Sequence, residues 1–423
     1  MATHGFDVII VGARVAGAAT AMLLARAGLR VLAVDRATFP SDTLSTHQIQ
    51  VPGVARLNRW GLLDRLSAAG TPPTRRVRFD AGHIVLHGQF PPYDGVDALY
   101  SPRRTLLDSI LIDAARAAGA EVREGFSVQD LVWAQGRVAG IRGHQRGGRP
   151  TTETARLVVG ADGKRSMVAA TVAARRYRQR PASTLACYTY WSGVPTAGGE
   201  LYQRPGRAAA AFPTNDDLTM IYVAAPLTEF ETFRTDIEGH YLKTLDSCGD
   251  LGDRVREAKR AERFRTTPDL PNAFRVPYGP GWALAGDAGL VMDPITAQGI
   301  GNALCQAEML AEAITAGLGG TRPLHAALAG YQRRRDAALG PMYDFTTDLA
   351  AFRPPRPADQ QLLASLHGRQ AEIDRFLGVF AGATPLKQYR SPRNALRLLG
   401  ARGLAKIAAA TLGQALRRST AGR

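Results

Sequence analysis

Short apolar runs that end at glycine punctuate this chain in three places. Phe6 to Val11 (FDVIIV) is continuous and apolar, as in a strand buried on both faces of a parallel sheet. The small and apolar residues of AATAMLLARAG predict a helix ending near Gly28, and Arg30 to Val34 predicts a second strand that delivers Asp35. Leu157 to Val159 runs into Gly160-Ala161-Asp162-Gly163, with Ser166 just beyond, and Trp282 to Leu284 runs into Gly286-Asp287. After the turn Pro294 to Ile300, a helix is predicted from near Gly299, with Ala303, Leu304, Ala307, Leu310, Ala311 and Ile314 on one face.

Between Ala173 and Pro277 the pattern changes to longer segments of partial alternation. Thr184 to Val194, Arg207 to Phe212 and Leu218 to Ala225 predict strands of a mixed or antiparallel sheet, and Glu231 to Lys259 predicts mainly helix. After Pro354-Pro355-Arg356-Pro357, Gln360 to Phe380 predicts another helix. Asn394 to Arg418 is basic with interspersed leucines and is interrupted by Gly400 and Gly403. It is expected to form a helical cap on the body with its arginines in solvent, in preference to a membrane-surface helix. The expected fold class is α/β: a Rossmann-like domain, an inserted mixed or antiparallel β-sheet domain and a C-terminal helical region.

The chain has 423 residues, room for two to three domains of about 150 each. A composition 45% hydrophobic and 21% charged excludes wholesale disorder. The formal net charge of +16 at first suggests a polyanionic partner. Its distribution argues otherwise, because ten basic and no acidic residues lie between Arg375 and Arg423, and the body before them is nearly balanced. No aromatic interleaving accompanies the basic tail, so nucleic acid is not expected. Cys187, Cys248 and Cys305 have no metal-ligand spacing and are expected to be reduced structural thiols, with no metal site. Without a signal-peptide pattern or an 18-residue apolar stretch, a soluble cytoplasmic protein with no stable membrane anchor is expected.

The first apolar run, turn, helix, second run and acid form the unit in which a dinucleotide-binding fingerprint carries meaning. In Gly12-Ala13-Arg14-Val15-Ala16-Gly17, Gly12 permits the tight turn and Gly17 close packing of helix on strand. The helix N-terminus offers free N–H groups to a pyrophosphate. Asp35, 23 residues after Gly12, is placed to accept ribose hydroxyls. Arg14 departs from the fingerprint, standing where its second glycine would be, so its side chain must either turn away or meet the ligand.

With the two later Gly/Asp motifs, roughly residues 6 to 345 resemble the FAD-dependent monooxygenases of the p-hydroxybenzoate hydroxylase type, a superfamily that also holds flavin halogenases and geranylgeranyl reductase-like enzymes. The resemblance implies FAD as cofactor, held by Gly12, Ala13, Arg14, Ala16, Gly17, Asp35 and Arg36 at the nucleotide end. Asp162 would serve both FAD and incoming NADPH or NADH, Gly286 and Asp287 the ribityl and phosphate portion, and Pro294, Gly299 and Ile300 the flavin ring. Arg104 resembles the arginine that reaches the FAD, a role that Arg103 beside it could fill instead, and Val128 is expected among the cofactor contacts. Residues 1–75, 99–175 and 271–345 would form the FAD-binding domain, 76–98 and 176–270 the substrate-binding domain, and 346–423 the C-terminal helical region.

Within that superfamily, halogenases resemble one another by W-x-W-x-I-P and prenyl reductases by Y-x-W-x-F-P. Here Ala208 to Pro213 keeps Phe212-Pro213 but has alanines where the aromatics would be, while Asp293-Pro294-Ile295-Thr296 leans toward those two branches. The expected activity is hydroxylation of an aromatic or polyketide-like small molecule with NAD(P)H and O2, through a C4a-hydroperoxyflavin. A reductase acting on an alkene and a non-catalytic flavin-binding protein are the alternatives, and a partner flavin reductase could deliver the electrons. Such chemistry needs at most one base. His47, in the loop Ser41 to Gln50 expected beside the flavin, is the candidate acid or base, and Tyr188, Tyr190 and Tyr222 are candidate substrate contacts.

Overall fold

A computed structural model of the chain describes residues 5–406 apart from Pro355 and Arg402. The strand Phe6–Val11 pairs in parallel with Val31–Asp35 on one side and with the second half of Pro150–Gly160 on the other, and Pro150–Gly160 pairs in turn with Trp282–Leu284. Glu121–Glu124 and Tyr278–Gly279 form the two edges. The register sets Val11 beside Gly160 and Gly160 beside Leu284, so the three Gly/Asp motifs begin along one line at the carboxyl edge of the sheet. Open α/β sheets bind ligands at this edge.

Gly17 is required where the helix Val15–Arg26 folds back, since a Cβ there would stand 1.7 Å from the carbonyl oxygen of Gly12. That helix packs between Arg104–Ala117 and Gly299–Leu318 on one face of the sheet. The other face is covered by a hairpin, Phe126–Ala134 and Arg137–Gln145, whose Phe126, Leu131 and Ile141 join Ile9, Leu32 and Val158 in one apolar cluster.

The second sheet runs in the order Thr184–Ser192, Leu218–Pro226, Arg207–Pro213, Gly199–Arg204, Val77–Asp80, Val85–Gly88. Alternation gives it two apolar faces. Cys187, Trp191, Ile221 and Val223 pack against Tyr241 and Leu245 of the helix Ile237–Asp246. Tyr188, Tyr190, Phe212 and Tyr222 form the opposite face, against which Ile295 of the Pro294–Ile300 turn packs.

Several expected elements differ. The helix expected over Glu231 to Lys259 is three short ones, Phe230–Phe233, Ile237–Asp246 and Leu251–Arg256, the second started by Asp236, whose carboxylate accepts from the Gly239 N–H. That expected over Gln360 to Phe380 is split into Pro357–Ser365 and Gln370–Phe380, with Gly368 between them at φ +71°. The hairpin 126–145 was not anticipated, because its strands alternate weakly and keep much polar surface.

The basic C-terminal region docks on the body over its described part. Glu372 forms a bidentate pair with Arg397, Arg369 donates to the carbonyl of Leu398, and Leu398 is buried in the main core. The rest of the stretch expected as a cap lies outside the described residues. Truncation of Leu398 to Ala is therefore expected to lower stability by about 2 kcal/mol or more, the cost of emptying a buried leucine site, read as a lower denaturant midpoint.

Candidate functional site

The turn 12–17 is held together by Asp35. One carboxylate oxygen accepts the Ala13 N–H at 2.8 Å and the other the Ala37 N–H at 2.9 Å. Gly12 has φ +98°, and a Cβ there would meet the Ala161 carbonyl oxygen at 2.5 Å, which ties this turn to the one carrying Asp162. Gly286 (φ +60°) packs so closely on Ala16 that a Cβ would approach it to 2.8 Å. Three motifs distant in sequence thus share one short edge.

Arg14 turns its side chain away from the turn. Its guanidinium donates to Asp108 at 2.6 Å, to the Ser41 carbonyl at 3.2 Å and to the Ser41 hydroxyl at 2.9 Å. Asp108 is fully buried and also accepts from Arg104 at 2.9–3.1 Å. Burial pushes the Asp108 carboxyl up and the two guanidiniums pull it back. Arg104 and Arg103, adjacent in sequence, part company. Arg103 lies over the Tyr190 ring, 4.0 Å from its centroid, and pairs with Glu262. Arg36 is exposed, and Val128 is half-buried in the hairpin against the sheet.

Asp162 caps the short helix Met167–Thr171, accepting from the Ser166 hydroxyl at 2.5 Å and the Met167 N–H at 2.6 Å. Burial pushes its carboxyl up. Asp287 behaves differently. It is solvent-exposed and its carboxylate has no hydrogen bond among the described residues, yet surrounding protein pushes its pKa up, opposed by Arg104, Lys164 and Arg275. An exposed carboxylate set among protein groups is the signature of a cleft.

The cleft continues to the helix Gly299–Leu318. Its first turn carries no acidic residue, and no side chain caps its N-terminus. Cβ atoms built at Gly299 and Gly301 would meet nothing within 4 Å. Neither glycine is demanded by protein neighbours, so the space they keep clear fits a ligand lying against uncapped N–H groups and the positive end of the helix dipole. The electron-rich edge of a flavin suits such a place. The residues present fit FAD.

Beside the cleft, the loop 41–47 is pinned at four points. Arg14 holds Ser41, Arg265 pairs with Asp42 at 2.7 Å, the Tyr188 hydroxyl accepts the Ser45 N–H at 3.2 Å, and Tyr190 holds His47. His47 is fully buried with φ +62°. Its Nδ1 lies 2.7 Å from the Ser45 carbonyl, which can only accept, so Nδ1 carries the proton and Nε2 accepts the Tyr190 hydroxyl at 2.7 Å. Burial drives the His47 pKa down to about 3.

Tyr222 does not join that group. With Gln48, Gln50, Leu201, Phe212 and Pro294 it lines a cavity between the tyrosine face of the second sheet and the Pro294–Ala297 turn. Leu377 and Phe380 of the helix Gln370–Phe380 form part of its wall. Gln298 donates to the Phe380 carbonyl at 3.0 Å and the Val51 N–H to the Ala381 carbonyl at 3.1 Å, so the C-terminal region is tied to the cavity. No charged residue lines it. Gln48, Gln50 and Asp108 were missed from sequence, although two glutamines alternating just after His47 are a visible signal.

A sheet edge of three converging Gly/Asp motifs, with an aromatic sheet over its cleft, is the architecture of a dinucleotide-binding protein. The FAD binding domain family matches residues 5–346, and the chain belongs to it, within the superfamily of p-hydroxybenzoate hydroxylase-type FAD-dependent monooxygenases. It is an FAD-dependent oxidoreductase. It is 24% identical to a tryptophan 2-halogenase of Chondromyces crocatus over 77% of this chain and 64% of that protein, thus spanning less than two thirds of the halogenase. It is 27% identical to a digeranylgeranylglycerophospholipid reductase of Methanothrix thermoacetophila over 86% of this chain and 92% of that protein. In fold it is similar to the myxobacterial chondrochloren halogenase CndH (TM-score 0.76, 22% identity, 94% and 96% of the two chains) and to PqsL of Pseudomonas aeruginosa (0.68, 22%, 89% and 100%). Among the described residues, no helix is long and apolar enough to cross a membrane.

Two outcomes follow. Gly299→Ala leaves the apoprotein melting temperature unchanged or slightly raised, because its Cβ enters open space, and weakens FAD binding about tenfold, about 1.4 kcal/mol. The second concerns acid. Between pH 6.5 and 3 an unfolded His47 binds a proton that the folded one refuses, so stability falls on acidification by about 1.4 kcal/mol per pH unit. Asp293, pushed up by burial to about 6, acts in the opposite direction below that pH. Comparing His47→Asn with the parent separates the two, and the stability lost between pH 7 and 5 by denaturant titration is smaller in the variant by about 2 kcal/mol.

Proposed function

We propose that this protein is an FAD-dependent monooxygenase that uses NAD(P)H and O2 to hydroxylate a small aromatic or polyketide-like molecule. The observation that carries the reading is the uncharged cavity between the aromatic face of the second sheet and the Pro294–Ala297 turn, beside the glycines that leave room for the flavin. Bound FAD, reduced by NAD(P)H, supplies with O2 an electrophilic oxygen atom. The chain's own part is to hold the acceptor and exclude water. Phe212, Leu201, Leu377 and Phe380 provide apolar walls, and the helix starting at Gly299 turns its uncapped N–H groups to the cleft.

In this reading Asp35 and the 12–17 turn hold the nucleotide, Asp287 the ribityl and phosphate region, and Arg104 the approach to the cleft. Asp162, as a helix cap, shapes the neighbouring turn. His47 has both ring nitrogens engaged, and its neighbours Thr46 and Gln48 line the cavity, so it positions this loop and leaves the polar contacts to them. Tyr188 and Tyr190 act through the same loop, and Tyr222 at the cavity.

The halogenase branch is disfavoured, since Ala208 to Ala211 place alanines where its signature has aromatics. The reductase keeps one specific support, the Asp293-Pro294-Ile295-Thr296 phrase together with the near full-length match to a prenyl-lipid reductase. NAD(P)H oxidation by the FAD-loaded protein, measured with and without oxygen, separates the two. The monooxygenase consumes NAD(P)H in an O2-dependent manner and at least tenfold faster with an accepted substrate. Equal anaerobic turnover of an alkene would establish the reductase instead.

A further inference from the structure

The cavity contains an unmet set of polar partners. Gln48, Gln50 and Tyr222 are each more than nine-tenths buried, and Gln48 Nε2, Gln50 Oε1 and the Tyr222 hydroxyl have no hydrogen-bond partner. Buried polar groups are nearly always satisfied, so three orphans lining one cavity call for a ligand. The two amides are not free to exchange roles. The Thr296 carbonyl can only accept, so Gln50 directs Nε2 to it at 3.1 Å. The same Nε2 donates to Gln48 Oε1 at 3.2 Å. With both its N–H groups used, Gln50 has its carbonyl oxygen left over. Gln48, with its carbonyl used, has its amide nitrogen left over. A backbone carbonyl of the flavin-side turn thus sets one surplus donor and one surplus acceptor, with the Tyr222 hydroxyl as a third group able to do either.

We propose that Gln48, Gln50 and Tyr222 are specificity-determining residues for a neutral substrate that carries a hydroxyl and a carbonyl on an aromatic or quinonoid frame. The carbonyl accepts from Gln48, the hydroxyl donates to Gln50, and Tyr222 binds whichever oxygen faces it. The frame lies among Phe212, Leu201 and Phe380. A carboxylate is rejected, because no cation lines the cavity to offset its desolvation and the Gln50 oxygen would repel it. The inference rests on reading this cavity as the substrate site.

The test is ligand binding to the oxidised, FAD-loaded protein, followed by calorimetry and by perturbation of the flavin absorbance, with no NAD(P)H present. 3′-Hydroxyacetophenone, acetophenone and 3-hydroxybenzoate form the probe set: the second lacks the hydroxyl, and the third replaces the methyl of the first by a charged oxygen. Tightest binding is expected for 3′-hydroxyacetophenone, at least tenfold weaker binding for 3-hydroxybenzoate, and an intermediate value for acetophenone. Gln50→Met erases most of the preference for the hydroxy ketone over acetophenone, and Gln48→Met weakens the binding of both ketones at least fivefold, each variant retaining FAD. 3-Hydroxybenzoate binding as well as the hydroxy ketone, failure of the hydroxy ketone to bind, an unchanged preference in the FAD-retaining Gln50→Met variant, or unchanged ketone affinity in the FAD-retaining Gln48→Met variant would overturn the assignment. Because no turnover is read, the outcome is independent of whether the NAD(P)H and oxygen experiment supports a monooxygenase.

Discussion

The register of three parallel strands is the constraint on which everything else rests. Val11, Gly160 and Leu284 lie side by side, and the chain leaves the sheet from each at the same level. A slip of one residue in either pairing would turn every buried side chain of that strand to the other face. It would also move one Gly/Asp motif about 3.3 Å along the sheet. The continuous apolar runs prevent this, because both faces are packed and any slip meets a filled core. Gly12 against Ala161, and Gly286 against Ala16, then bring the turns into contact.

Arg14 shows how a departure from a fingerprint is accommodated. A glycine at this second fingerprint position would leave the backbone bare. Here the side chain is drawn off by a fully buried carboxylate, Asp108, so the approach stays open while the turn gains an anchor. Since Asp108 also holds Arg104, and Arg14 also holds Ser41, the nucleotide turn, the helix Arg104–Ala117 and the loop that carries His47 are joined through one buried charge. Removing one member of such a group strands the others' charges, so a substitution at any of them is costly.

What could be read from the sequence follows the range of the interactions. The strand-end motifs, the helix start at Gly299 and the three main strands of the second sheet were legible, because continuous apolar runs, glycine and alternation are local signals. The hairpin 126–145 was not, its strands being half-exposed and only weakly alternating. The fate of Arg14 depends on a residue 94 positions away, and the distinction between Arg103 and Arg104 depends on Glu262 and Asp108, which no local pattern names. His47 was singled out from its place in a loop. That it is buried with both nitrogens engaged depends on Tyr190, on a strand 143 residues on. The glutamines beside it acquire meaning only once the Thr296 carbonyl is known to stand opposite.

The bonds from Gln298 to the Phe380 carbonyl and from Val51 to the Ala381 carbonyl have a consequence for the order of events during synthesis. The nucleotide-binding turn is made in the first tenth of the chain, but one wall of the cavity is supplied by residues more than three hundred positions later. All strands of the parallel sheet precede that wall in the chain. The compartment in which substrate would meet the flavin is closed only when translation has passed Ala381. A prematurely terminated chain would thus leave its flavin side open to water.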